Sequence, residues 1–172
     1  MNFQDCMELL YELEGWDSND PDDPGGRTRA GITADTYARF LGRRPTNADW
    51  SKLTRERIEL IYESYYWDAL YCGALPVGVR LVVFDTGVNQ GVNRAATWLQ
   101  TAVGAKVDGY VGPKTVAAVK AKDPYELIIE LSARRTVHWS GLINLVKFHF
   151  GWFRRGYRVA VQSALNVEEA TR

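Results

Sequence analysis

The chain of 172 residues has few of the side chains on which several common kinds of site depend. It contains two cysteines, Cys6 and Cys72, which are too few and too far apart for a disulfide framework. Both thiols are therefore expected to fill space in the core. The two histidines, His138 and His149, have no cysteine or Glu-x-x-His pattern near them. We therefore predict neither a metal site nor a bound cofactor.

Long apolar runs and common nucleotide or hydrolase motifs are also missing. No uninterrupted stretch approaches the roughly 20 apolar residues that cross a bilayer. The first ten residues lack the basic start and apolar run of a secretory signal, so accumulation in the cytoplasm without stable membrane insertion is expected. The chain has no Gly-x-Ser-x-Gly, phosphate-loop or dinucleotide fingerprint, which argues against the enzyme classes that carry them.

The composition is typical of a globular protein, with 46% apolar and 24% charged residues. The length allows one compact domain or two closely packed lobes. The formal net charge is zero, but residues 1–75 hold 14 acidic and 8 basic side chains, whereas residues 76–172 hold 7 and 13. The resulting charges of −6 and +6 either orient the protein on a charged partner or neutralise each other between the two halves.

Helical periodicity dominates the sequence, so we predict a mostly α fold made of two closely packed lobes, residues 1–75 and 76–172. The predicted helices cover about residues 3–14, 34–42, 53–71, 78–90 and 93–103, with a short helix from 113 and a long one from 124 to about 149. Gly151 is expected to break the last run before a final helix that ends near residue 166. Residues 26–33 are the one place where a small hairpin is expected.

The first helix places an acid in a position suited to catalysis. Phe3, Met7, Leu10 and Glu14 follow at spacings of four, three and four, so they share one helical stripe that faces the core. Partial desolvation there raises the pKa of a carboxyl, as a general acid requires. The Asp/Pro/Gly-rich residues 17–26 follow at once. The alternative is a solvated glutamate beside ordinary turn chemistry, and spacing alone leaves both interpretations open.

Three motifs resemble a known family in the expected order. Residues 14–17 (Glu-Gly-Trp-Asp), residues 19–26 (Asn-Asp-Pro-Asp-Asp-Pro-Gly-Gly), Thr28 and residues 31–33 (Gly-Ile-Thr) resemble the amino-terminal signature of the family 108 glycoside hydrolases. That family comprises phage and prophage endolysins that act as N-acetylmuramidases. Residues 107–115 (Val-Asp-Gly-Tyr-Val-Gly-Pro-Lys-Thr) look like the peptidoglycan-binding segment fused to it, and residues 150–155 resemble the end of that segment.

The resemblance implies a lysozyme-like fold and cleavage of the β-1,4 bond between N-acetylmuramic acid and N-acetylglucosamine. Glu14 would be the general acid, and Asp23, nine residues later, the second carboxylate; Thr28 would position the attacking water. It also implies release through a phage-encoded membrane pore. The partners expected are peptidoglycan glycan strands and no nucleic acid, with the protein acting as a monomer. The sequence departs from the usual Glu-Gly-Gly-Tyr at Trp16 and Asp17.

Other polar residues are candidates for substrate binding. Asp17 and Asp20 lie in the loop after the acid. Asp85 and Asn89 lie four residues apart on the apolar helix 78–90, where they either line a saccharide groove or cap neighbouring loops. Aromatic rings stack on sugar faces, so some aromatic residues are subsite candidates while most are expected in the core. The subsite candidates are Trp16, Tyr37, Trp67 and Tyr110.

Two other functions remain open at this point. A lytic transglycosylase works with a single glutamate and no water-activating aspartate. A non-catalytic wall-binding or secretion-accessory module would use mainly the second half of the chain. There, a basic and aromatic cluster is a possible contact for anionic partners, although a solvated basic helix face is the commoner case. The cluster comprises Lys147, Trp152, Phe153, Arg154, Arg155, Tyr157 and Arg158.

Overall fold

The computed structural model describes residues 1–14, 17–18, 28–143 and 146–172, and these residues form a mostly helical fold. The helices are α1 (Phe3–Glu14), α2 (Ala34–Leu41), α3 (Asn47–Ser51), α4 (Arg55–Tyr62), α5 (Val79–Gln90), α6 (Val92–Val103), α7 (Pro113–Lys120), α8 (Pro124–Ser140) and α9 (Val146–Ala170). Three two-residue strands are β1 (Asp17–Ser18), β2 (Thr28–Arg29) and β3 (Ile32–Thr33). The predicted fold class, mostly α with very little β structure, is confirmed.

The small sheet is antiparallel in the order β1-β2-β3. Between β2 and β3, Ala30 and Gly31 both have positive φ, 46° and 78°, as a two-residue type I′ turn requires. The hydroxyl of Tyr62, at the end of α4, donates a hydrogen bond of 2.8 Å to the buried carbonyl of Ala30. The hairpin predicted within residues 26–33 is therefore present, and α4 holds its turn in place.

Helix α5 is the centre of the molecule. Nine of its twelve residues are buried, and it contacts α1, α6, α8 and α9. Gly78 precedes it with φ 86°, and a Cβ there would lie 2.5 Å from the carbonyl oxygen of Ser163 and 2.5 Å from a methyl group of Val167. Only glycine allows this close approach of the start of α5 to α9. The prediction that residues 78–90 form a buried helix shared by both halves is confirmed.

An aromatic cluster packs α1 against α5. The ring centroids of Phe3 and Trp67 lie 5.4 Å apart and those of Trp67 and Phe84 5.7 Å apart, both in edge-to-face geometry. Met7 and Leu10 continue the same buried face of α1. The predicted core stripe of α1 is therefore correct as far as Leu10, and α1 ends four residues later.

Two predicted helix boundaries are wrong, and one helix was not predicted. The helix expected over 53–71 ends as α-helix at Tyr62, and a π-helical turn, Glu63–Trp67, follows it. The break expected at Gly151 lies earlier, because α8 ends at Ser140 and α9 runs through Gly151 without interruption. Helix α3 was not predicted, although Thr46 and Asp49 form a capping box at its start.

Candidate active site

The predicted general acid, Glu14, is the last residue of α1, and its side chain lies outside the described part of the structure. The stripe that it extends is real, since Phe3, Met7 and Leu10 are all buried. The main chain therefore ends α1 in the register that the sequence predicted. The catalytic role of Glu14 stays a prediction.

Strand β2 brings Thr28 beside the segment that follows α1. Thr28 pairs with Ser18 of β1 on one side and with Thr33 of β3 on the other, and its side chain is half-buried. The neighbouring Arg29 donates from Nη1 to the carbonyl oxygen of Trp50 at 2.9 Å, which ties β2 to α3. Since β1 begins three residues after Glu14, the sheet brings the chain around the predicted water-positioning residue close to the end of α1.

The predicted acidic partners belong to the segment between α1 and β2. Asp17 forms part of β1, opposite Arg29 in the sheet register, but its side chain is outside the described part. Asp20 and Asp23 lie in the connection between β1 and β2, outside the described residues. The predicted roles of these three aspartates therefore remain predictions.

Asp85 is not a groove residue. It is 2% exposed, and its carboxylate accepts hydrogen bonds from Arg155 Nη2 at 2.7 Å and Nε at 3.1 Å and from Arg135 Nη2. Burial alone would raise the pKa of this carboxyl, but the charges of Arg155 and Arg135 outweigh burial and lower the pKa below its usual value. The prediction that Asp85 contacts the saccharide is wrong, because its carboxylate is enclosed by two arginines of α8 and α9.

Two buried arginines hold the carboxylate of Asp85. Arg135 is 0% and Arg155 8% exposed, so their hydrogen bonds to Asp85 are shielded from water. The Nε and Nη1 atoms of Arg135 are buried without a hydrogen-bond partner among the described residues, and its guanidinium lies 4.9 Å from the ring centroid of Trp139. We call Asp85, Arg135 and Arg155 the buried ion network. It joins α5, α8 and α9.

No local signal in the sequence identifies the buried ion network, because its two arginines lie 50 and 70 residues from Asp85. In the sequence, Arg155 belongs to the basic and aromatic cluster, for which a solvated helix face is the commoner case. That interpretation is wrong for Arg155, because its side chain is buried. Two other members of the cluster fit it better: Arg154 is exposed, and the partly exposed Arg158 pairs with Glu12 of α1 at 2.8 Å. Asn89, one turn after Asp85, is half-buried, and its role in substrate binding stays a prediction.

The aromatic subsite candidates divide clearly. Tyr37 is fully buried and Trp67 is 7% exposed, so both are core residues. Tyr110 is 63% exposed, and Trp16 lies outside the described residues. Tyr71, which the sequence analysis does not single out, contacts Tyr110, with the ring centroids 6.3 Å apart.

Neither cysteine has the environment of a nucleophile. Both are buried, and burial raises the pKa of Cys6 to about 12 and holds the pKa of Cys72 well above its usual value. Among the side chains that the structure describes, no three His, Cys, Asp or Glu residues come together as a metal site would require. No helix in the described ranges has the length and apolar character needed to span a membrane.

Comparison with known proteins now assigns the chain to a family. The family model described as Glycosyl hydrolase 108 matches residues 7–91, and the model described as Predicted Peptidoglycan domain matches residues 94–157. Among solved structures the chain is similar to SagA of Brucella abortus, with 33% sequence identity over 96% of this chain and 95% of that chain and a TM-score of 0.90. No curated protein matches the sequence.

The two family models meet between residues 91 and 94. Helix α5 therefore falls in the first matched segment, while α8 and most of the basic part of α9 fall in the second. The lobe boundary predicted between residues 75 and 76 stays a prediction. Both models and the structural similarity agree with the three motifs read from the sequence. The chain belongs to the glycosyl hydrolase 108 family, and it is a glycosidase that hydrolyses peptidoglycan.

Proposed function

We propose that this enzyme is an N-acetylmuramidase, which cleaves the β-1,4 bond between N-acetylmuramic acid and N-acetylglucosamine. Glu14 is the general acid, Asp23 the second carboxylate and Thr28 the residue that positions water. The observation that carries the proposal is the pairing of β1 with β2, which sets Thr28 opposite Ser18. Ser18 is four positions after Glu14 in the chain, so the Cα atoms of Ser18 and Glu14 lie within roughly 14 Å of each other.

The chemistry follows from the surroundings of the two carboxyl groups. A proton must be delivered to the glycosidic oxygen while an oxocarbenium-like state develops on the sugar. The buried stripe of Phe3, Met7 and Leu10 continues in sequence to Glu14, which we propose as the proton donor. A general acid must keep its proton near neutral pH, and partial desolvation of a carboxyl favours this. Asp23, on the connection between β1 and β2, activates the water that the Thr28 hydroxyl holds. Asp17 and Asp20 contribute substrate contacts from the same segment.

We expect inversion at the anomeric carbon, since a water molecule must fit between the two carboxyl groups, which inverting enzymes hold about 6.5–9.5 Å apart. NMR of products at early times distinguishes the anomers. Net retention would contradict the water-activating role of Asp23 and would favour a covalent intermediate.

The decisive experiment compares Glu14→Gln with Glu12→Gln on purified sacculi. Glu12 lies on the same helix and its exposed side chain pairs with Arg158 at the surface, so its variant is a matched control that should retain activity. Glu14→Gln should fold normally and lose at least about 100-fold in rate, the usual contribution of a general acid. Asp23→Asn should lose less. A Glu14→Gln enzyme that solubilises sacculi at a similar rate would refute the assignment.

Mass spectrometry of the same digests separates this function from its closest alternative. Hydrolysis leaves muramic acid reducing ends, whereas a lytic transglycosylase leaves anhydro-muramyl ends and consumes no water. Reducing ends are the expected product. Anhydro ends would show that Glu14 acts alone as acid and base.

We further propose that the enzyme acts as a monomer after release by a separate membrane pore, in the manner of phage endolysins. The neighbour SagA comes from a bacterium, so a prophage or bacterial lytic setting fits equally. Expression of the enzyme with and without a phage pore protein tests the release route, and lysis should require the enzyme and the pore together. Lysis without the pore would show that the enzyme reaches the wall by another route. Light scattering measures the oligomeric state.

A further inference from the structure

Two tyrosine rings meet on the surface where the two matched segments join. Tyr71 belongs to the segment matched by the hydrolase model and Tyr110 to the segment matched by the peptidoglycan model. Their ring planes are inclined by 75°, and their hydroxyl oxygens lie 3.4 Å apart. Tyr110 is 63% and Tyr71 37% exposed. Both tyrosines are therefore accessible to a ligand.

The main chain holds Tyr71 in an unfavourable conformation. Its φ of 51° and ψ of 33° lie in the left-handed region, which is unfavourable for a bulky residue relative to the right-handed one. The conformation is fixed by flanking turns, since Tyr71 N–H donates to the Asp68 carbonyl at 3.0 Å and Ala74 N–H donates to the Tyr71 carbonyl at 2.9 Å. Strained residues of this kind cluster at functional sites, so the outlier at Tyr71 points to a role for this surface.

The Tyr110 ring is presented with similar rigidity. Its main-chain N–H donates to Asp108 Oδ1 at 3.1 Å, and its carbonyl accepts from Gln100 Nε2 at 2.9 Å. A Cβ on Gly112 would lie 3.1 Å from the edge of the ring, so glycine lets the turn close against it. Tyr110 is therefore exposed but held in place by its main chain, which lowers the conformational entropy lost on binding.

A cavity of about 610 Å³ lies beside Tyr110, within the size range of small-ligand sites. Its lining includes Lys106, Lys114, Asp108 and Thr115. Lys106 is near Asp108, with 3.7 Å between nitrogen and oxygen. The opening thus combines an aromatic platform, positive charge and hydrogen-bonding groups. Peptidoglycan offers matching chemistry: apolar sugar faces, and carboxylates on its stem peptides.

We propose that Tyr71 and Tyr110 form a stacking subsite for the glycan strand, with Lys114 pairing with a stem-peptide carboxylate. The subsite holds sugar units away from the bond that is cleaved, and it spans the junction of the two matched segments. The inference rests on the proposed function in one respect, that the ligand is the glycan strand of peptidoglycan.

The test measures binding of soluble, uncross-linked muropeptide oligosaccharides by calorimetry, with Glu14→Gln as background so that no ligand is consumed. Tyr110→Ala and Tyr71→Gly should each weaken binding about 5- to 10-fold, as expected when one stacked ring is lost. Glycine relieves the left-handed strain at position 71, so Tyr71→Gly should not lower the melting temperature. Tyr110→Phe should bind normally, because it keeps the ring.

Two comparisons make the outcome decisive. Tyr125→Ala removes another exposed tyrosine, at the start of α8, and should leave binding unchanged. Lys114→Gln should weaken binding of muropeptides but not of N-acetylglucosamine oligomers, which lack carboxylates. Unchanged affinity in both Tyr110→Ala and Tyr71→Gly would overturn the subsite, and an equal effect of Lys114→Gln on both ligands would overturn the carboxylate contact. Activity of the unsubstituted enzyme on sacculi tests the proposed function separately from these affinities.

Discussion

Replacing Asp85 by asparagine should destabilise the protein more than almost any other conservative change. The substitution removes the carboxylate that Arg135 and Arg155 share, while both guanidinium groups stay buried. Their side chains are 0% and 9% exposed, so water cannot replace the lost charge. Arg135 already has two buried nitrogens without a hydrogen-bond partner among the described residues, and the change adds to that number.

The expected loss in the free energy of unfolding is about 3–5 kcal/mol, the usual result of removing one partner from a buried ion pair. For a chain of 172 residues, this lowers the melting temperature by roughly 6–20 °C. Arg135→Met should lose less, because it leaves the pair of Asp85 and Arg155 in place and removes the two nitrogens of Arg135 that have no hydrogen-bond partner among the described residues. The order of the two losses follows because Asp85→Asn affects both arginines, whereas Arg135→Met removes one of them.

Chemical denaturation of the two variants and of Asp35→Asn measures these losses. Asp35 pairs with Arg44 on the surface, where both side chains are mostly exposed, so its variant should lose no more than about 1 kcal/mol. A loss for Asp85→Asn as small as that control would refute the reasoning, as would an equal or larger loss for Arg135→Met.

The pH dependence of the loss gives a second check. The pKa of Asp85 is lower in the folded protein than its usual value of 3.8, so its contribution to stability is complete above about pH 4 and is lost as the pH falls through the lower folded value. The difference in unfolding free energy between the unsubstituted protein and Asp85→Asn should therefore stay constant from pH 5 to 8. It should shrink when measured at pH 3. A difference that varies between pH 5 and 8 would assign the effect to another titrating group.

Two further predictions concern the hairpin and the thiols. Tyr62→Phe leaves the buried carbonyl of Ala30 without the 2.8 Å hydrogen bond, so it should lower the free energy of unfolding by about 1–3 kcal/mol in denaturation curves; an unchanged value would show that α4 does not hold the turn. The thiol of Cys6, with its pKa raised to about 12 by burial, should react with a disulfide reagent only as fast as the protein unfolds. Fast labelling of the folded protein would contradict this.

The sequence predicts the helices whose ends carry local signals. Pro113 and Pro124 each occupy the first turn of a helix, as expected. The helix break predicted at Gly151 is absent because a glycine on an exposed helix face lowers helix stability by only about 1 kcal/mol relative to alanine. A Cβ there would meet nothing within 4 Å, and packing of α9 against α8 decides instead. The π-helical turn after Tyr62 has no sequence signal that distinguishes it from continued α-helix.

The candidate site was predictable where chemistry is local and not where it depends on distant contacts. The stripe ending at Glu14 follows from helical spacing alone, and its first three members are buried as expected. Asp85 looks the same in sequence whether it faces a groove or two arginines, because those arginines come from α8 and α9. The exposure of Tyr71 likewise depends on its left-handed backbone conformation, which residue propensities do not predict for a tyrosine.

The position of α5 limits how this enzyme can be recombined with others. Its sequence is matched by the hydrolase model, yet it is buried on nearly every side and carries Asp85, whose arginine partners Arg135 and Arg155 belong to the other matched segment. A chimera that joins this hydrolase half to a foreign wall-binding half would expose the apolar surface of α5. It would also leave Asp85 without Arg135 and Arg155. Successful exchanges of targeting modules will therefore have to transplant matching faces of α8 and α9, or append the new module outside the intact pair.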